Sequence, residues 1–136
     1  MKRVLMILIL AALPAFMAAP PAFSAQTDAD IRARLIGNWL SQPPKGQPAD
    51  HMLQVFRADG TSSAFFFKDA ACRALLARID VKWILQDGVL SMIYPEGYQD
   101  RDQIAVITAN KLTLKSLDKN ATYTRIKSKT CLPPKE

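Results

Sequence analysis

The chain has 136 residues, 49% of them hydrophobic and 22% charged, with a formal charge of +6; that is enough for one hydrophobic core and too little for two. Its basic residues are interspersed with acids, and the one local cluster, Arg125 to Lys129, is short. This excludes the concentrated positive face of a nucleic-acid binder.

The first segment, MKRVLMILILAALPAFMAAPPAFSA, carries Lys2 and Arg3, then an uncharged apolar run interrupted at Pro14, then small residues and prolines. That is the layout of a secretory signal peptide. The run is too short for a membrane span, which needs roughly 20 residues. Cleavage is expected after Ala25, with Ser24 as the alternative. It removes 25 of the 136 residues, leaves a 111-residue domain from Gln26 to Glu136, and lowers the formal charge from +6 to +4 with the loss of Lys2 and Arg3. The destination is the periplasm or the exterior. In an oxidising compartment two cysteines, Cys72 and Cys131, read as one disulfide. With a single histidine in the chain, His51, and no C-x-x-C pair, neither a zinc site nor a redox pair is expected.

The mature chain opens on QTDADIRARLIG, with Thr27 or Asp28 as N-cap, Asp30 in the first turn, and Ile31 and Leu35 on one helical face. A short helix is expected there, then a strand around Asn38 to Ser41. SQPPKGQPAD, with three prolines and a glycine, is an irregular loop. HMLQVFR and TSSAFFFK are strands joined at Asp59-Gly60, a hairpin signal. In LLARIDVKWILQ the odd positions from Leu75 to Leu85 are all apolar, while Arg78, Asp80 and Lys82 fall on even ones; this is a strand with one buried face. A short helix over the preceding AACRALLAR remains an alternative. Asp87-Gly88 turns the chain into VLSMIY, and PEGYQDRD reads as a loop. QIAVITA, LTLKSL and ATYTRIK complete the set. Eight short strands, centred on Trp39, Val55, Phe65, Trp83, Met92, Val106, Leu114 and Tyr123, predict an antiparallel meander, closed as a barrel or folded as a sandwich.

Gly37, two residues before Trp39, suits a side-chain-free bend at the closed end of a barrel, with the indole plugging the core above it. Closure would set the last strand beside the first, and Arg125 is expected over the Trp39 ring. Leu35 to Trp39 (LIGNW), Phe56 to Thr61 (FRADGT), Trp83 to Met92 (WILQDGVLSM), Ile107 to Leu114 (ITANKLTL) and Tyr123 to Arg125 (YTR) together resemble the bacterial lipocalin-like domains of the calycin group, in order over nearly all of the mature chain. The resemblance implies an all-β, eight-stranded antiparallel up-and-down barrel with a short N-terminal helix and an apolar cavity. A second set, DAACRALL (Asp69 to Leu76), Trp83 and DGVL (Asp87 to Leu90), is similar to the small periplasmic barrels that inhibit secreted metalloproteases. That family closes its disulfide over a short loop, whereas Cys72 here has only Cys131 as partner.

No G-x-S-x-G, paired strand carboxylates or second histidine supports catalysis; His51 beside Asp50 reads as a loop residue. Asp100 and Asp102 alternate as calcium ligands do, without the rest of such a loop. Neither metal nor cofactor is expected. The expected function is non-enzymatic binding of a small apolar ligand or of a macromolecule at the rim, with Phe65, Phe67, Trp83, Met92, Val106 and Tyr94 as lining residues. Inhibition of an exported enzyme is the alternative. An apolar void of roughly 300 Å³ or more would favour ligand carriage; a filled interior would move binding to the rim.

Overall fold

A computed structural model describes residues 26–136; the expected signal segment lies outside them. One helix, α1 (Asp28–Leu35), precedes eight strands: β1 (Gly37–Gln42), β2 (Met52–Phe56), β3 (Thr61–Phe67), β4 (Leu75–Gln86), β5 (Val89–Ile93), β6 (Gln99–Ile107), β7 (Lys111–Ser116) and β8 (Thr122–Lys127). Each strand pairs antiparallel with the next, and β8 returns to β1, so the sheet is a closed barrel. AACRALLAR forms no helix; Cys72 sits in a turn with φ +55°, and β4 begins at Leu75.

Eight residues of helix are marginal alone in water, and α1 is held by its ends. Thr27 Oγ1 accepts from the Asp30 amide at 3.2 Å while Asp30 Oδ2 accepts from the Thr27 amide at 3.4 Å, a capping box. The Asp28 carboxylate accepts from the Asp87 and Gly88 amides at 2.7 and 2.8 Å. Arg32 donates to the Ala58 carbonyl at 2.8 Å and Arg34 to that of Ile107 at 3.3 Å. Three hairpin ends are thereby strapped to one helix, which closes the base of the barrel with buried Ile31 and Leu35. Above it pack Trp39, Phe56, Trp83, Leu90, Ile107, Leu112 and Leu114. The lower barrel is filled by these side chains.

At the helix C-terminus the carbonyls need donors. Trp39 Nε1 donates to Leu35 O at 2.7 Å. Lys127 Nζ donates to Arg34 O and Ile36 O at 3.2 and 3.0 Å and lies 4.2 Å from the Trp39 ring centroid. Closure therefore places a cation on the indole as expected, but the residue is Lys127. The β1–β8 register sets Trp39 opposite Lys127 and Ser41 opposite Arg125, so Arg125 lies two residues further up the wall.

The wall alternates, with corrections to the expected faces. Phe65 and Phe67 point outward. They are buried with Leu53, Val55 and Cys131 beneath the C-terminal tail, which the Cys72–Cys131 disulfide draws over the wall with a Cα separation of 5.6 Å. Phe66 is the inward ring, opposite Met52. Val106 is 43% exposed. A bulge between Ile104 and Val106 shifts the phase of β6, so Ile104 and Ile107 point inward instead. The supposed loop PEGYQDRD is half strand, since β6 starts at Gln99 and Asp102 stands opposite Leu90. In β4 the odd face is inward as expected, yet only its lower part is covered. Val81 and Trp83 are buried, while Ile79 is 40% exposed; beyond the bulge at Phe66 and Phe67 the phase changes, and Leu75, 45% exposed, stands opposite the outward Phe67.

Candidate functional site

Above the filled base, the inward positions turn polar. Gln54 follows Met52 and precedes Phe56 on the inward face of β2, and it is 4% exposed. Arg125, 8% exposed, donates from Nε to Gln54 Oε1 at 3.2 Å. Gln54 Nε2 in turn donates to Met92 Sδ at 3.0 Å. Asp102 reaches the same level from β6 and is 4% exposed. Gln54, Met92, Asp102 and Arg125 form a polar floor across the barrel.

This floor is incompletely bonded. The terminal guanidinium nitrogens of Arg125 and both carboxylate oxygens of Asp102 make no hydrogen bond within the described residues. These atoms open onto the space above the floor, where water or a ligand can partner them; among the described residues the fully buried polar side-chain atom without a partner is Ser62 Oγ. Burial still shows in their titration. Burial pushes the Asp102 carboxyl above the usual aspartate range, the charge of Asp100 adds to this, and Arg125 opposes it. Burial pulls the Arg125 guanidinium down, against the attraction of Asp50 and Asp102.

Two adjoining concavities open above the floor. A cup of about 100 Å³ is lined by Met92, Tyr94, Asp100, Asp102 and Arg125, among others. A recess of about 530 Å³ lies under the proline loop, against Pro43, Pro44, Pro48 and Asp50. Tyr123 and Arg125 line both. Tyr94 donates to Asp100 Oδ2 at 3.1 Å and stacks on Tyr98 with ring centroids 4.2 Å apart. Burial, then the Asp100 charge, pushes the Tyr94 phenol up to about 12.

The expected lining set divides three ways. Met92 and Tyr94 reach the cup. Trp83 belongs to the filled base, its Nε1 donating to Thr61 O at 3.0 Å and its ring under Arg32 at 4.4 Å. Phe65, Phe67 and Val106 face outward. Gly37 and Trp39 are at the base as expected. Arg125, expected there as well, is instead in the floor. His51 is a turn residue with φ +47° whose carbonyl accepts from the Phe67 amide at 3.1 Å. Among the described residues no group of three His, Cys, Asp or Glu side chains could hold a metal, and no helix is long and apolar enough to cross a membrane. Gln54 was not singled out from sequence, and Asp102 only as a calcium-ligand candidate in a loop. The available signal was a polar residue in phase with the apolar ones: Gln54 between Met52 and Phe56, Asp102 two positions before Ile104.

No family model matches the chain, and no curated protein does. Two crystal structures are similar in shape. An uncharacterized protein from Bacteroides eggerthii DSM 20697 superposes with a TM-score of 0.54 at 12% identity, covering 69% of this chain and 99% of its own. A lipocalin-like protein from Bacteroides uniformis ATCC 8492 gives a TM-score of 0.51 at 16% identity, covering 69% and 97%. The fold is lipocalin-like. At these identities the likeness is one of architecture.

Proposed function

We propose that this lipocalin-like protein is an exported binding protein, not an enzyme. It holds a small molecule at the open end of the barrel by a head group that accepts hydrogen bonds from Arg125 and donates to Asp102. One observation carries the reading: two oppositely charged side chains, each more than nine-tenths buried, face one cup with hydrogen-bonding capacity unused. A floor serving stability alone would bring them together, because a buried charge gains most from a direct partner. Set apart, they match a neutral or zwitterionic head such as an amide or an amino acid. The body of the ligand would rest on Tyr123 and the prolines of the β1–β2 loop. Export is supported by the basic–apolar–small layout of residues 1–25 and by the disulfide, which suits an oxidising compartment.

The test is native mass spectrometry of protein recovered from its own host, followed by titration of the purified protein with N-acyl amino acids and fatty amides. The expected result is a retained small molecule, with Arg125→Lys and Asp102→Asn each weakening binding at least tenfold, the cost of about one charge-assisted hydrogen bond. Binding that is indifferent to both substitutions would reject the site.

A further inference from the structure

β4 outruns its neighbour. It has 12 residues against 5 in β5, and its pairing with β5 covers only Lys82 to Gln86. From Leu75 to Val81 it pairs with β3 alone. The hydrogen-bonding phase of the free edge follows from one bond. The Trp83 amide donates across to Gly60 O at 2.9 Å, so in antiparallel alternation Val81, Ile79 and Ala77 also bond toward β3. The N–H and C=O groups of Arg78 and Asp80 then point away from the sheet. A cleft of about 670 Å³, lined by Arg78, Asp80 and Val81 on one side and Tyr94 and Pro95 on the other, borders that edge.

Natural sheets guard free edges with short strands, charged side chains, prolines or bulges. This edge has a bulge only at its far end, between Phe66 and Phe67 of the paired strand, and its charges are of both signs, so a second copy can meet them with its own. Arg78 and Asp80 alternate on the outer face and bridge each other at 2.9 Å; Arg78 also reaches Glu136 at 3.3 Å, and Asp80 accepts from Ser63 Oγ at 2.6 Å. The intervening Ile79 is 40% exposed, and neighbouring Leu76 is 68% exposed.

We propose that β4 pairs edge to edge with β4 of a second copy of this chain, antiparallel about a two-fold axis through Ile79. In that register Arg78 stands opposite the partner's Asp80 and Asp80 opposite the partner's Arg78. Both pairs have the phase that exchanges backbone hydrogen bonds, four in all. Ile79 meets its symmetry mate on the inner face. A two-fold at Arg78 would face arginine with arginine, and one at Asp80 would face aspartate with aspartate; like charges directly opposite are unfavourable. A two-fold at Val81 would set Asp80 opposite Lys82, but Lys82 is already paired with Ile93 of β5, so charge and the extent of the free edge together select one register. The contact involves neither Arg125 nor Asp102 and stands apart from the ligand reading.

Sedimentation velocity over a micromolar to near-millimolar range tests it. The wild type is expected to dimerise. Arg78→Asp and Asp80→Arg each set like charges across the axis and are expected to weaken the dimer about tenfold. Mixing the two variants restores complementary pairs, so a heterodimer of near wild-type strength should form, a result that mere misfolding of either variant would not give. A wild type that stays monomeric, with freely exchanging Arg78 and Asp80 amides, overturns the proposal. So does a dimer that survives both single substitutions, or a mixture that fails to recover.

Discussion

The ammonium of Lys127 occupies the space that a side chain at residue 37 would need. A β-carbon on Gly37 would lie 2.9 Å from Lys127 Nζ, and the backbone there has φ +130°. The same nitrogen caps the last carbonyls of α1 and covers the Trp39 ring. Glycine, tryptophan and lysine thus form one unit at the base, contributed by the first and last strands.

Gly37→Ala is expected to destabilise the fold by about 1–3 kcal/mol, because an L side chain is strained at that φ. Shortening the lysine in a Gly37→Ala/Lys127→Ala double variant should not recover the loss, since the strain lies in the backbone. Urea unfolding of both variants checks this; full recovery in the double variant would place the cost in the contact instead.

Replacing both cysteines, Cys72→Ala with Cys131→Ala, should cost about 2–4 kcal/mol by freeing a 59-residue separation in the unfolded chain. The tail should also lift from Phe65 and Phe67. Dye binding to the newly exposed aromatic wall, absent in the parent, is the accompanying readout.

Arg125→Met removes the donor to the buried Gln54 Oε1 and the cation that opposes the rise of the Asp102 carboxyl, and should cost about 1–3 kcal/mol. Adding Asp102→Leu should return part of that. Thermal melts of the two single variants and the double are expected to be strongly non-additive; simple additivity would mean that the two groups do not interact across the cup.

The Asp102 carboxyl titrates above its unfolded value of 3.8. The folded state therefore holds a proton that the unfolded state has already released. The stability contributed by this group is complete below pH 3.8 and is lost as pH rises through the raised value. Asp102→Asn should flatten that decline and gain on the parent toward neutral pH. Melting temperatures of both proteins across pH 3 to 8 would decide it, and parallel profiles would clear Asp102 of the effect.

Much of the barrel was legible because its turns and strand parities are local. Asp87 and Gly88 take φ +51° and +73°, the paired left-handed turn that an Asp-Gly hairpin announces. Period-2 alternation correctly placed Phe65 with Phe67 and opposed them to Phe66. Parity does not say which side is inside, however, and the cover on the outer side comes from a tail 64 positions beyond Phe67, at Cys131. The β6 bulge likewise inverted Val106, because one extra residue in a strand has no compositional mark. The floor was hidden for a different reason. Polar residues such as Gln99 to Asp102 read as loop, and only the pairing of Asp102 with Leu90 reveals a strand that carries a carboxylate inward. Register, finally, is a property of two strands at once, which is why the cation over Trp39 was expected two residues too early.

Both indoles of this protein, Trp39 and Trp83, are buried in the solid base, below the layer formed by Gln54, Asp102 and Arg125. A molecule seated at the opening would touch neither. Screens that follow intrinsic tryptophan emission would therefore return silence even at saturation, and an apparent lack of quenching would say nothing about affinity. Tyrosine signals from Tyr94 and Tyr123, or guanidinium resonances of Arg125, sit where the event would register.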